Sequence, residues 1–98
     1  MAATLRPGSV TRAEAIAAFE TEGCSAPRPW SNGPGDRYGR HEHPYRKVLF
    51  CLEGSIVFRT DDGDLTLTGG DRLDLDPGTP HAATVGPDGC ACVEATAP

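Results

Sequence analysis

The segment Gly39–Ser55, GRHEHPYRKVLFCLEGS, combines two histidines one residue apart with a run of apolar and aromatic residues. The run that follows Lys47 is rich in β-forming residues and predicts a strand. Glu53-Gly54 is expected to turn this strand into a second one, SIVFRT. The histidines would suit a metal ion. A lysine four residues beyond the second histidine would not obviously help to hold one.

The chain beyond this segment continues as short apolar runs separated by turns. DDGD at 61–64 predicts a hairpin tip, while GGD and PGTP separate the alternating runs DLTLT, RLDLD and HAATV. CACVEAT closes the series. Strands at this even spacing, over about 36–96, predict an all-β barrel or sandwich.

One helix is predicted near the start of the chain, in TRAEAIAAFETEG, over about 11–22. Thr11 can cap its first turn, Glu14 stands where a capping box places a carboxylate, and Gly23 is a natural stop. Its apolar stripe is modest, so we expect the helix to lie against a sheet. The Pro- and Gly-rich segment that follows can hold a short extended piece around Trp30 but no helix.

Length and charge limit the classes of protein and partner. The 98 residues fit one domain, 1–98. The net charge of -5, with scattered basic residues, argues against nucleic acid and anionic membrane surfaces as partners. No apolar stretch approaches the roughly 20 residues of a membrane span. The first residues lack the apolar core of a secretory signal, so we expect a cytoplasmic protein with free thiols at its four cysteines, Cys24, Cys51, Cys90 and Cys92.

The chain contains three histidines, His41, His43 and His81. In an extended strand His41 and His43 would project from one face, and His81, at the start of a later strand, could complete a cluster. Three protein ligands with open positions are typical of a catalytic metal, and imidazole suits zinc, iron, nickel and copper. Spacing alone leaves a solvated strand face as the alternative.

The segment from Gly35 to Gly54 resembles the first motif of the cupin superfamily of small β-barrels. That motif has glycine, His-x-His, glutamate and glycine. Here five residues separate Gly35 from His41-x-His43, three residues separate His43 from Lys47, and six residues separate Lys47 from Gly54. Lys47 stands where the family has glutamate.

Residues 70–85 resemble the second cupin motif, which has glycine, Pro-x-Gly, histidine and asparagine. Five residues follow Gly70, two precede His81 and three separate His81 from Val85. Asp76 replaces the proline of the motif and Val85 replaces the asparagine, while Pro77 can still stiffen the turn.

The resemblance implies a jelly-roll-like cupin β-barrel with one short N-terminal helix. It also implies a divalent metal ion held by His41, His43 and His81, with zinc or iron favoured over manganese or nickel. Family habit, and strand edges that need covering, favour a homodimer.

Lys47 has the strand parity of the histidines and should point into the same pocket. An ammonium about 5 Å from a dication is repelled by about 6–7 kcal/mol at an effective dielectric of about 20. Four outcomes stay open: a neutral amine acting as base, a charged amine turned toward a carboxylate, a charge that meets an acidic substrate, or a lysine that replaces a lost ligand in a metal-free barrel.

Three further residues are candidates for the pocket, each with packing or rim placement as its alternative. Cys51 shares the parity of Lys47, Tyr38 precedes the first histidine, and Tyr45 follows the second. We interpret the chain as an enzyme acting on a small polar or acidic metabolite, of oxygenase, isomerase or lyase type, with Lys47 as a catalytic residue. A metabolite- or metal-sensing module is the alternative, and a metal-free structural barrel is a weaker one.

Overall fold

Seven strands form one antiparallel sheet in the computed structural model, which describes residues 2–98. The prediction of an all-β fold with one short helix is confirmed. No helix within residues 2–98 is long and apolar enough to cross a membrane. In chain order the elements are β1 (Ala3–Arg6), α1 (Arg12–Thr21), β2 (Arg28–Asn32), β3 (Arg37–His41), β4 (Lys47–Thr60), β5 (Gly63–Thr68), β6 (Arg72–Leu75) and β7 (His81–Thr96).

The two longest strands, β4 and β7, pair with each other along most of their length and form the centre of the sheet. Each has two different neighbours on its other side. β6 pairs with the first half of β4 and β5 with the second half, while β3 pairs with the start of β7 and β2 with its later part. The two halves of each long strand thus belong to different parts of the sheet, which is typical of a jelly-roll barrel.

The predicted hairpin turn at Glu53-Gly54 is wrong. β4 runs through both residues, and its register against β7 shifts between Cys51 and Glu53 and again between Gly54 and Ile56. Gly54 has a φ of 70°, the left-handed conformation that glycine adopts without a Cβ penalty. The glycine therefore makes a β-bulge that bends one long strand, where a turn would have made two.

Two other boundaries differ from the prediction, and one agrees with it. HAATV and CACVEAT are the two ends of the single strand β7. β1 was not predicted; it pairs with β6, and Leu5 lies opposite Leu73. The hairpin tip at 61–64 is confirmed, because β4 and β5 pair up to Thr60 and Gly63.

The barrel interior is filled by apolar side chains, and α1 covers the sheet from outside. Phe19 of α1 packs edge-on against Phe50 of β4, with ring centroids 5.4 Å apart. Thr11 and Glu14 form the predicted capping box. The buried interior residues are Leu49, Cys51, Ile56, Phe58, Leu67, Leu73, Leu75, Ala83, Val85, Cys90 and Cys92.

The outward face of β6 carries charges that α1 helps to cover. Arg72 donates two hydrogen bonds to Glu22, just after α1, and two to Asp74, which is 3% exposed. Burial works to raise the pKa of Asp74, but the hydrogen bonds and charge of Arg72, with Arg6 and Arg46, hold it below its ordinary value. The predicted alternation of RLDLD is therefore present, although Arg72 and Asp74 on its polar face are buried.

Candidate metal centre

The three histidines form a cluster beside a cavity in the barrel, and His41 and His81 line the cavity wall. One ring nitrogen from each lies within 4.8 Å of the others. His41 ends β3 and His81 begins β7, and the two are directly paired between these strands. The prediction that His41 and His43 share one strand face is wrong, because β3 ends at His41. His43 reaches the cluster from the loop that leads to β4.

That loop is tied to the turn before β7. The backbone N–H of Gly78 donates a 2.8 Å hydrogen bond to the carbonyl oxygen of His43. Gly78 has a φ of 72°, which a side chain would disfavour. The Tyr45 ring stacks on the His43 imidazole, with centroids 5.0 Å apart, and its hydroxyl lies 3.3 Å from Nδ1. His43 is thus positioned by a backbone contact and by an aromatic neighbour.

His41 and His81 are oriented by the same local contact. The Nδ1 of His41 lies 2.6 Å from the carbonyl oxygen of Gly39, and the Nδ1 of His81 lies 2.9 Å from that of Thr79. A carbonyl oxygen only accepts, so in each ring Nδ1 carries the proton. Nε2 of both rings is then left with its lone pair free, the arrangement that backbone carbonyls impose on metal-ligating histidines.

The lowered pKa values of two of the rings also favour metal binding. Burial lowers the pKa of His43 to about 4, helped by the charge of Lys47 and by the two other histidines. Burial likewise lowers the pKa of His81, against the effect of its hydrogen bond to Thr79. Both imidazoles are therefore neutral near neutral pH, as ligation requires.

The cluster fits a divalent ion with a modest contraction. Zinc holds imidazole nitrogens at about 2.0–2.1 Å, which places them about 3–3.5 Å apart in a tetrahedral site. The ring nitrogens of the three histidines lie within 4.8 Å of one another, so they would have to approach by about 1.5 Å to hold the ion. Three imidazole ligands are compatible with several divalent first-row ions, among them zinc, iron and nickel.

Lys47, the only lysine in the sequence, points toward the same cavity. Its Nζ lies 3.1 Å from Oε2 of Glu94 and 3.4 Å from Nε2 of His43. Both side chains of the ion pair are only 12% exposed. Among the four outcomes left open by the sequence, the structure matches the charged amine that pairs with a carboxylate. The Lys47 amine nevertheless stays beside His43 while it contacts Glu94.

Glu94 is the functional candidate that sequence reasoning missed. It lies on β7, and its Oε1 accepts a 2.7 Å hydrogen bond from Nε1 of Trp30 on β2. Arg28 approaches its other oxygen at 3.8 Å. A signal did exist: in CACVEAT the carboxylate of Glu94 shares strand parity with Cys90 and Cys92, so one strand face carries an acidic residue beside two small thiols.

The cavity has a volume of about 200 Å³, and its wall combines apolar side chains with the Lys47–Glu94 ion pair. Tyr38 is 40% exposed at its edge and meets Trp30 in a T-shaped contact, with centroids 6.0 Å apart. Cys51 is fully buried in the barrel core but does not line the cavity, and Tyr45 contacts His43 from outside it. The lining residues are Trp30, Tyr38, His41, Lys47, Leu49, Ile56, Phe58, His81, Ala83 and Glu94.

Comparisons with solved structures show the same fold. A conserved protein with a double-stranded β-helix domain from Klebsiella pneumoniae superposes with a TM-score of 0.65 at 25% identity, over 74% of this chain and 65% of that one. KdgF from Halomonas sp. gives a TM-score of 0.63 at 16% identity, over 74% and 68% of the two chains. A structure described as belonging to DMSP lyases RdDddP and RnDddQII gives 0.63 at 28% identity, over 71% and 35%.

The chain thus spans just under two thirds of the Klebsiella protein and about a third of the lyase chain. A search of curated proteins found no match. The family model described as the cupin domain matches residues 30–93. Because the matched region exceeds half of the 98 residues and includes all three histidines, the chain belongs to the cupin domain family.

Proposed function

We propose that the protein is a metal-dependent enzyme that acts on a small anionic metabolite, with His41, His43 and His81 as the metal ligands. One observation carries the proposal: a Lys47–Glu94 ion pair lies on the cavity wall, within 3.4 Å of His43. This pair places a positive donor and a carboxylate together at the mouth of the three-histidine cluster.

Charge favours an anionic ligand. The charges of Lys47 and Glu94 cancel, and the lowered pKa values of His43 and His81 keep those two rings neutral, so these four side chains contribute no net charge. In the cupin pattern the glutamate at position 47 would contribute one negative charge. The protein side chains around a divalent ion here therefore carry one negative charge fewer than in the cupin pattern. That difference of one charge attracts an anion about 5 Å away by about 3 kcal/mol at an effective dielectric of about 20.

The side chains divide the binding work. When bound, the metal would act as a Lewis acid that polarises an oxygen of the substrate. The Lys47 ammonium has three N–H donors, of which one meets Glu94, so donors remain for a substrate carboxylate. Leu49, Ile56 and Phe58 would pack against the carbon skeleton and exclude water. The cavity of about 200 Å³ equals the share of about seven water molecules, so only a small metabolite fits.

Acid–base chemistry fits this wall better than other reaction types. Lys47 and Glu94 lie 3.1 Å apart, so a proton removed from the substrate by one group can be returned through the other. Elimination and isomerisation both need such a pair. The 28% identity with a structure described as belonging to lyases supports the first of these.

A metal-free binding module is the second candidate, and one contact favours it. The Lys47 amine lies 3.4 Å from Nε2 of His43, a ring nitrogen that could otherwise bind the ion. Neutral His43 can accept a hydrogen bond there. The barrel would then hold an anion on Lys47 without turning it over.

Replacing Lys47 with methionine tests the ligand class. We expect succinate to bind the zinc-loaded variant about 10- to 100-fold more weakly than the zinc-loaded wild type, since one charged hydrogen bond is lost. Isothermal titration calorimetry measures the dissociation constants. Arg12→Met is the matched control, because it removes the same charge from an exposed site on α1. Equal affinity in Lys47→Met and wild type would contradict the proposed role of Lys47.

Turnover separates the two candidates. Zinc-loaded protein incubated with succinate or lactate in D₂O should exchange a hydrogen next to the carboxylate for deuterium, which NMR detects. His41→Ala should lose this exchange. Succinate binding of equal strength with and without zinc, and no exchange with either acid, would support the metal-free module.

A further inference from the structure

Three of the four cysteines lie inside the barrel, where the proposed chemistry does not use them. Cys51 lies on β4, and Cys90 and Cys92 lie on β7. All three belong to the buried interior cluster and are free thiols. Burial by itself would make them small core residues. The register of β4 against β7, however, places two of them, Cys51 and Cys92, next to each other.

Cys51 and Cys92 lie directly opposite each other on the central strand pair. The backbone N–H of Cys51 donates to Asp71 at 3.0 Å, and its carbonyl accepts from Gly70 at 2.7 Å. Both hydrogen bonds point away from β7. Cys51 and Cys92 are therefore a non-hydrogen-bonded pair of an antiparallel ladder, in which the Cα atoms lie about 4.5 Å apart and the side chains approach closely. A disulfide needs a Cα separation of about 4.4–6.8 Å.

We propose that Cys51 and Cys92 form an oxidative modification site, at which a peroxide converts the two thiols into a cross-strand disulfide. The Cys51 thiol releases its proton, the thiolate attacks one oxygen of hydrogen peroxide and the O–O bond breaks; the departing hydroxide takes up that proton, so a sulfenic acid and one water result. The Cys92 sulfur then attacks the Cys51 sulfur, the S–O bond breaks, and the hydroxyl leaves as a second water with the Cys92 proton. Two thiols lose two hydrogens and one peroxide is reduced to two waters.

The order of attack follows from the interaction between the thiols. The Cys92 thiol lowers the pKa of Cys51, and this effect exceeds the opposing effect of burial. The Cys51 thiol and burial both raise the pKa of Cys92. Cys51 therefore ionises first and attacks the peroxide, and Cys92 resolves the intermediate.

Cys90 is geometrically a poor competitor. It is two residues from Cys92 on the same strand, a separation of about 6.6–6.8 Å with both side chains pointing the same way. The residue opposite Cys90 is Gly54. A bridge from Cys90 to Cys51 would have to span a diagonal of about 7–8 Å. Only the directly opposed pair meets the geometry of a disulfide without moving the strands.

The bulge beside the pair supplies a route for the oxidant. Cys51 and Cys92 are at most 1% exposed, so the strands must open locally before a peroxide can enter. The register shift between Cys51 and Glu53 interrupts the ladder at the next residues. A second cavity, of about 240 Å³, reaches the neighbouring Cys90.

The test is oxidation of the folded wild-type protein with hydrogen peroxide, followed by alkylation in denaturant, trypsin digestion and mass spectrometry. Cleavage after Lys47, Arg59 and Arg72 places Cys51 in 48–59 and both Cys90 and Cys92 in 73–98. We expect these two peptides to be linked, with the loss of two hydrogens. Cys90→Ser should keep the link and Cys92→Ser should abolish it.

Half-buried Cys24 is the internal standard for the oxidant dose. The proposal is overturned if Cys51 and Cys92 stay reduced at doses that oxidise Cys24 in the same samples. A link that persists in Cys92→Ser and vanishes in Cys90→Ser would also overturn it. Circular dichroism of each variant before oxidation shows that a missing link does not reflect an unfolded chain.

Discussion

Gly54→Ala is expected to lower the free energy of unfolding by more than about 3 kcal/mol, or to prevent folding altogether. A Cβ at this position would lie 1.9 Å from the carbonyl oxygen of Gly89 and 2.8 Å from its carbonyl carbon. Both are backbone atoms of β7, so no side chain can rotate away to make room. The φ of 70° adds the usual strain of a left-handed non-glycine residue.

Gly35→Ala is the matched control for that variant. Gly35 has nearly the same φ, 75°, but its Cβ would meet no atom within 4 Å. We expect it to lose only about 1 kcal/mol, the cost of the backbone conformation alone. Urea denaturation followed by circular dichroism measures both variants. Equal losses of unfolding free energy in Gly54→Ala and Gly35→Ala would contradict the prediction that Gly54 is needed for the close approach of β4 to β7 at the bulge.

The same glycine shows where prediction from the sequence stops. A hairpin turn and a β-bulge both need a residue that adopts a positive φ, so Glu53-Gly54 satisfies either. The choice is made by β7, which pairs with β4 on both sides of Gly54. That pairing joins residues far apart in the chain, and no local pattern in β4 reports it.

The candidate site divides in a similar way. The spacing of the motifs brought His41, His43 and His81 forward as a group, and the structure places one ring nitrogen of each within 4.8 Å of the others. The backbone carbonyls that orient two of the rings lie two residues upstream, so they follow from local geometry once the strands are known. The partner of Lys47 did not follow, because Glu94 is brought to it by the long-range pairing of β4 with β7.

Removing one histidine is expected to abolish metal binding. Wild-type protein saturated with zinc and then dialysed should retain about one ion per chain, and His81→Ala should retain almost none, since two imidazoles alone hold zinc weakly. Elemental analysis of protein purified without a metal-chelating tag measures the zinc. Chelator should lower the melting temperature of the wild type but not that of His81→Ala, because only a protein that binds the ion is stabilised by it.

Two further variants make the result independent of folding and reveal what Lys47 does. His81 is 2% exposed, so its loss could disturb the barrel, whereas His41 is exposed and His41→Ala should lose zinc without that risk. Glu42→Ala changes an exposed carboxylate between the two motif histidines and should retain zinc. Folded His81→Ala and His41→Ala that hold as much zinc as the wild type would remove the histidine cluster as the ligand set. A wild type without zinc, beside a Lys47→Glu variant that holds one ion, would instead mean that the lysine amine, 3.4 Å from Nε2 of His43, occupies the place of the metal.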